Sequence, residues 1–307
     1  MSDPANNGDG RRGQKPVFEW HSTAAFSARL ETDPRFVAEQ LQRAAAHGEP
    51  AAQLGWAHAL LEGHGTARDP EAAFRWFQIA AQSGGSDAIN MVGRCHEVGW
   101  GTPVNLAQAA RAYRVASDMG HAWAQFNLAS LILHTGDGDG SRDEALSLFV
   151  RAARGGNAKA MTIIGQACEE GWRAAPKPAA ARRWYLRAAR RGCFRGSFNS
   201  ARLSMDDGDV DGAVVWLRRA IGAGPKRFCE ELGDYLTTHP DARLREVSAQ
   251  AYAQARSARA GPPPQGPIPA KVLAAGPQPS LSPLDRGRRS LRRMVGALTG
   301  AEKPGRS

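Results

Sequence analysis

A step of 36 residues runs through the middle of this chain. From Ala57 it lands on Gly93, Ala129, Gly165 and Ala201. From Gly84 it reaches Gly120, Gly156 and Gly192, and from Phe77 it gives Tyr113, Phe149 and Tyr185. Ala80, Ala116, Ala152 and Ala188 make a fourth column in the same register. A period in this range predicts a solenoid, in which each unit buries its apolar face only against its neighbours. The expected fold is therefore all-α: a right-handed superhelical solenoid of helix-turn-helix repeats. Such an architecture presents long surfaces rather than enclosed pockets.

The first unit shows the local logic. Ala51 to Glu62 is expected as one helix, broken by Gly63-His64-Gly65. Asp69 and Pro70 carry the residue types that cap and start a second helix. Its apolar face reads Ala73, Trp76, Phe77, Ala80 and Ala81, a three-and-four spacing, and Gly84 ends it. Trp76 and Trp184 are expected in the core, where truncation to alanine costs about 3–5 kcal/mol. The fifth unit is shortened at Asp206-Asp207-Gly208, in the inter-helix loop.

The expected organisation is a polar, disordered N-terminus over residues 1–16 and a cap with a half repeat over 17–50. Five repeats follow over 51–225, then capping helices over 226–260. A Pro/Gly-rich basic tail occupies 261–307. That tail carries six of the chain's net +10 charges, and residues 290–298 are expected as a short basic helix.

The repeated strings resemble the SEL-one-like repeat family, a relative of tetratricopeptide-like repeats. Asp69, Ala73, Trp76, Phe77, Ala80, Ala81 and Gly84 fill its signature, as do Ala181, Trp184, Tyr185, Ala188, Ala189 and Gly192. Ala124-Gln125-Phe126-Asn127-Leu128-Ala129 and Glu62-Gly63-His64-Gly65-Thr66 belong to the same pattern. Asn105 departs from the usual Asp, and Thr135-Gly136-Asp137-Gly138 departs from the usual turn. The resemblance implies an adaptor or scaffold that binds a protein partner on its concave face.

Three columns of the first helices are expected to line that face. His58, Arg94, Ser130, Gln166 and Arg202 form one; Phe126 and Phe198 belong to a second, Asn127 and Asn199 to a third. These positions are expected to stand free of packing. The amides would bond an extended peptide, Arg94 and Arg202 would take carboxylates in bidentate fashion, and the phenylalanines would seat apolar anchors. A second candidate is the acid-free run from Gly171 to Arg195, with Arg182, Arg183, Arg187, Arg190 and Arg191. It and the tail would serve an electrostatic binder of nucleic acid or an anionic membrane surface, the alternative to the adaptor.

The rest of the reading is negative. Asp137-Gly138-Asp139 lacks the glycine and glutamate that a helix-loop-helix calcium site needs downstream. No His-Glu-x-x-His, Cys-x-x-Cys, Gly-x-Ser-x-Gly or phosphate-cradling string occurs. A non-enzyme without cofactor, metal or small-molecule substrate is expected. Cys95, Cys168, Cys193 and Cys229 are scattered rather than paired within repeats, and residues 1–16 lack the apolar core of a secretory leader. A cytoplasmic setting follows as the expectation, and Ala/Arg-rich usage suggests a bacterial-type protein.

Overall fold

The computed structural model describes residues 33–136 and 139–257. These form helices joined by short loops and, among the described residues, no strand. Residues 1–32, with the expected cap helix, and the whole basic tail lie outside the described residues, as do Asp137 and Gly138. The helices divide into two compact units that meet in sequence between Ser83 and Gly84.

The first unit holds α1 (Pro34–Ala46), α2 (Pro50–Glu62) and α3 (Pro70–Gln82). A proline opens each of them, its fixed φ already helical and its missing N–H among those that a first turn leaves unpaired. Asp33 accepts from the amides of Arg35 and Phe36, and Asp69 from that of Ala72. Gly63 ends α2 at φ 75°, a left-handed conformation that a side chain disfavours.

The second unit holds α4 (Ser86–Val98), α5 (Leu106–Asp118), α6 (Ala122–Thr135), α7 (Asp139–Arg154) and α8 (Ala158–Glu170). It continues with α9 (Pro178–Arg190), α10 (Phe194–Asp206), α11 (Val210–Ala223), α12 (Lys226–Thr237) and α13 (Ala242–Ser257). From α4 to α11 each helix packs on the next in the chain; α12 packs on α13, which also meets α11. Asn105 caps α5 as an aspartate would, accepting from Gln108 N at 3.0 Å. At the altered turn after α6, Gly136 is extended, with φ −93° and ψ 150°, in place of a left-handed glycine.

The core is built on small residues and one aromatic column. Ala57, Ala129 and Ala201 are fully buried, as are Ala73, Ala109, Ala145, Ala181 and Ala213. Without bulk at these positions the two helices of a hairpin approach closely. Phe77, Tyr113, Phe149 and Tyr185 fill the space between them, none more than 1% exposed. The preceding column does not: Trp76 and Trp184 are only half-buried, which corrects the expectation that they sit in the core. The reason is rotational. One residue turns a helix by about 100°, and the burial of the next residue leaves the tryptophan at the edge of the apolar stripe.

Candidate functional site

The first helices of the second unit's repeats carry a composite face. Asp87, Trp123, Lys159 and Arg195 follow one another at 36-residue steps near the starts of α4, α6, α8 and α10. Four residues further, and so on the same helix face, stand Met91, Asn127, Ile163 and Asn199. Side chains on this face bridge consecutive repeats. Asn127 Nδ2 donates to Asn90 Oδ1 at 3.0 Å. His121 Nε2 and Asp87 Oδ1 are 3.0 Å apart. The Lys159 ammonium lies 5.1 Å from the centre of the Trp123 ring, and the Arg195 guanidinium lies 4.8 Å from that of Phe194. Trp123 remains 41% exposed, a large aromatic surface with water on one side and Lys159 on the other.

Burial pulls the Lys159 ammonium below the ordinary lysine range, and the nearby charges of Arg195 and Arg94 pull in the same direction, opposed by the Cys193 thiol. Burial likewise lowers Arg195. Arg94 is 9% exposed; its Nη1 donates to Glu97 Oε2 at 2.8 Å, while its buried Nη2 has no hydrogen-bond partner.

The residues singled out from sequence stand differently from their expectation. Phe126 is 7% exposed and packs on Phe149 with ring centroids 5.6 Å apart; Phe198 is 2% exposed against Phe228. Both are core residues, not open seats. Gln166 is buried, and Asn199 donates its amide to Arg195 O of its own helix at 3.0 Å. The Nη2 atom of Arg202 donates to both oxygens of Glu169, at 2.6 and 2.7 Å, so its carboxylate partner is internal. His58, in the first unit, meets Phe77 edge-on at 5.1 Å. Arg94 and Asn127 lie on helices that carry the composite face, but each is only 9% exposed and bonded within the protein, against the expectation that they stand free of packing. Sequence reading passed over Trp123 and Lys159 and met Arg195 only as the end of the basic run, although the same 36-residue step connects them.

The basic helix α9 is less basic than its sequence. Arg182 pairs with Asp207, and Arg173 with Asp143 at 2.8 Å, so neighbouring repeats supply the acids that the run lacks. The Arg187 guanidinium lies 4.8 Å from the centre of the Trp184 ring. Arg183, Arg187, Arg190 and Arg191 are exposed.

Among the described residues no group of three or more His, Cys, Asp or Glu side chains could hold a metal ion. No helix among them is long and apolar enough to cross a membrane. The buried ionisable groups are poised away from neutral chemistry. Burial pushes the Cys95 thiol up to about 12, and burial together with Glu97 and Glu169 pushes the Tyr113 and Tyr185 phenols well above their usual range.

A family model described as the Sel1 repeat matches residues 50–85, 86–121, 124–157 and 158–193. Residues 50–193 carry four Sel1 repeats. The hairpins α2–α3, α4–α5, α6–α7 and α8–α9 are the four matched Sel1 repeats, and the fold is an all-α solenoid of such units. It is similar to a Sel1 repeat protein from Oxalobacter formigenes, with 21% identity, a TM-score of 0.59, and coverage of 72% of this chain and 98% of that one. It is also similar to c5321, a protective antigen of uropathogenic Escherichia coli with an SLR fold. That match has 24% identity and a TM-score of 0.54, and covers 73% of this chain and 49% of that one. Among curated proteins, chitin synthase regulatory factor 3 of Schizosaccharomyces pombe is 31% identical over 134 residues. The match covers 42% of this Sel1 repeat chain and only 14% of that relative.

Proposed function

We propose that this chain is a non-enzymatic adaptor that binds an extended segment of a protein partner along the first-helix face of its second unit. Sel1 repeats generally serve as protein-interaction scaffolds. The observation that carries the reading here is the bridged stripe of Trp123 and Asn127. The Asn127–Asn90 bond uses one donor and one acceptor, and leaves Asn127 Oδ1 and Asn90 Nδ2 for a peptide backbone. Trp123, exposed and one helical turn away, supplies the apolar contact beside them. Preformed helices keep the ordering cost on the partner's side low. The buried phenols and thiol, held in their neutral forms, favour binding over acid-base catalysis.

The reading places the protein in the cytoplasm of a bacterial-type cell, supported by free cysteines at all four positions. Matched ion pairs at Arg173 and Arg182 weigh against the basic helix as a nucleic-acid or membrane site.

The test is site-specific photo-crosslinking. A benzophenone amino acid is placed at Trp123 and, as a control, at Val215, which is 62% exposed on a second helix. In native extract, a discrete protein adduct from position 123 and none from position 215 is the expected result. Equal labelling at both positions, or adducts at 215 alone, overturns the reading.

A further inference from the structure

We infer that the partner segment is basic where it meets α4 and α6: the stem of an arginine or lysine lies on the open face of Trp123, and its charged head pairs with Asp87. The inference rests on the adaptor reading and specifies its ligand chemistry.

Two hydrogen bonds between repeats bracket the place. Asp87 Oδ1 and His121 Nε2 are 3.0 Å apart, and Asn127 Nδ2 donates to Asn90 Oδ1 at 3.0 Å. Trp123 lies between His121 and Asn127 in the chain, so these bonds hold its stretch of α6 against the first turn of α4. Lys159 covers the ring from α8, which leaves the approach from α4 for a ligand.

The chemistry of Asp87 decides the charge of that ligand. His121 Nδ1 accepts from the Ala124 amide at 3.0 Å and so caps α6. A ring nitrogen that accepts carries no proton, so this imidazole is neutral and its single N–H, on Nε2, donates to Asp87. The carboxylate is therefore oriented without being neutralised. Its side chain is 74% exposed, and among the described residues no Lys or Arg pairs with it. Elsewhere in the same unit the acids that reach between repeats have cations: Glu144 has Arg114, Asp143 has Arg173, and Asp211 has Arg243. Asp87 is held in place as they are and lacks the cation.

An exposed ion pair alone adds little to binding. Trp123 changes that, because a long basic side chain lays its apolar stem on the indole while its head stays at the carboxylate. Water is then excluded beside the pair, as at the centre of an interface. The Asn90–Asn127 pair, one turn further along both helices, takes the backbone of the same segment. An acidic residue or a phosphate at this point would meet Asp87 as a like charge.

The probe is a short rhodamine-labelled peptide of alternating serine and leucine with one central arginine. Its twins carry citrulline, which keeps the shape without the charge, or glutamate at the centre. Binding to the full chain is read by fluorescence anisotropy. The arginine peptide is expected to bind about tenfold or more tightly than the citrulline twin. Asp87→Asn, which can still accept from His121, should abolish that difference, and Asp87→Lys should reverse the order so that the glutamate twin binds best. Asp139→Asn, at an exposed position on α7, should leave the difference intact. Circular dichroism melting confirms that each variant folds. Equal binding of the arginine and citrulline peptides, no binding of any peptide, or a difference that survives Asp87→Asn overturns the inference. A protein adduct at position 123 with no preference among the peptides leaves the adaptor standing and removes only its basic specificity.

Discussion

The Tyr113 hydroxyl donates a 2.6 Å hydrogen bond to Glu97 Oε2, across the two helices of one repeat. Two repeats on, Tyr185 does the same to Glu169 at 2.8 Å. The rings of both tyrosines lie against glycines: a Cβ on Gly93 would come within 2.6 Å of Tyr113 Cε1, and one on Gly165 within 2.6 Å of Tyr185 Cδ1. The first and third repeats carry a different set. Phe77 goes with Ala57 and Leu61, and Phe149 with Ala129 and Leu133. Glycine, glutamate and tyrosine therefore alternate with alanine, leucine and phenylalanine as coupled groups.

These groups should exchange only as wholes. Glu97→Leu alone leaves the buried Tyr113 hydroxyl unpaired and takes a carboxylate from Arg94, at a cost of about 1–3 kcal/mol. Gly93→Ala alone overpacks against the ring, at about 1–3 kcal/mol. The fourfold change Gly93→Ala, Arg94→Ser, Glu97→Leu and Tyr113→Phe installs the third repeat's set and should regain most of the loss. Urea midpoints at constant m-value check this; a fourfold variant as unstable as the sum of its parts would refute the coupling.

Truncation of the aromatic columns should separate them. Phe77→Ala removes a fully buried ring and should cost about 3–5 kcal/mol. Trp76→Ala, at a half-buried position, should cost clearly less despite the larger side chain. Thermal unfolding of the two variants, compared at equal heating rate, decides the order.

The four thiols should react in two classes. Cys168 and Cys193 are half-buried, whereas Cys95 and Cys229 are fully buried; burial raises the thiols of Cys95, Cys168 and Cys229, that of Cys95 to about 12. In the native protein Ellman's reagent should label Cys168 and Cys193, with Cys95 and Cys229 reacting only on unfolding. Peptide mapping of the adducts gives the answer residue by residue.

Alkali should expose the buried tyrosines. Burial, reinforced by Glu97 and Glu169, raises Tyr113 and Tyr185 above the ordinary 10.0 of the unfolded chain. A group raised on folding contributes stability that is complete below its unfolded value and is lost as pH climbs beyond it. The urea midpoint should fall above about pH 10 in wild type and fall less steeply in Tyr113→Phe/Tyr185→Phe. Tyrosinate absorbance recorded in parallel should show these two phenols ionising only with unfolding.

Much of the architecture was legible because its signals are local. Proline after Asp33 and Asp69, glycine at 63, and alanines three and four apart each act within one or two turns of chain, and α1 to α3 follow from them. The candidate site was less legible. Arg94, Asn127 and Arg202 looked open because polar side chains on a helix suggest solvent. Glu97 stands one turn beyond Arg94 on the same helix, whereas Asn90 and Glu169 come within reach of Asn127 and Arg202 only once the repeats are packed together. The Trp123–Lys159–Arg195 column held the right period but mixed chemistry, an aromatic followed by two cations, so similarity of residue type did not reveal it.

The sequence by itself determined the repeat, its helical hairpins and the small-residue columns that let the helices close, because periodicity and capping are read along the chain. Only the tertiary structure decided which polar residues spend their hydrogen bonds inside and which side chains meet across repeats. Those outcomes depend on which side chains adjacent repeats bring within reach, and a 36-residue separation in sequence becomes a contact of a few ångströms only when the hairpins pack.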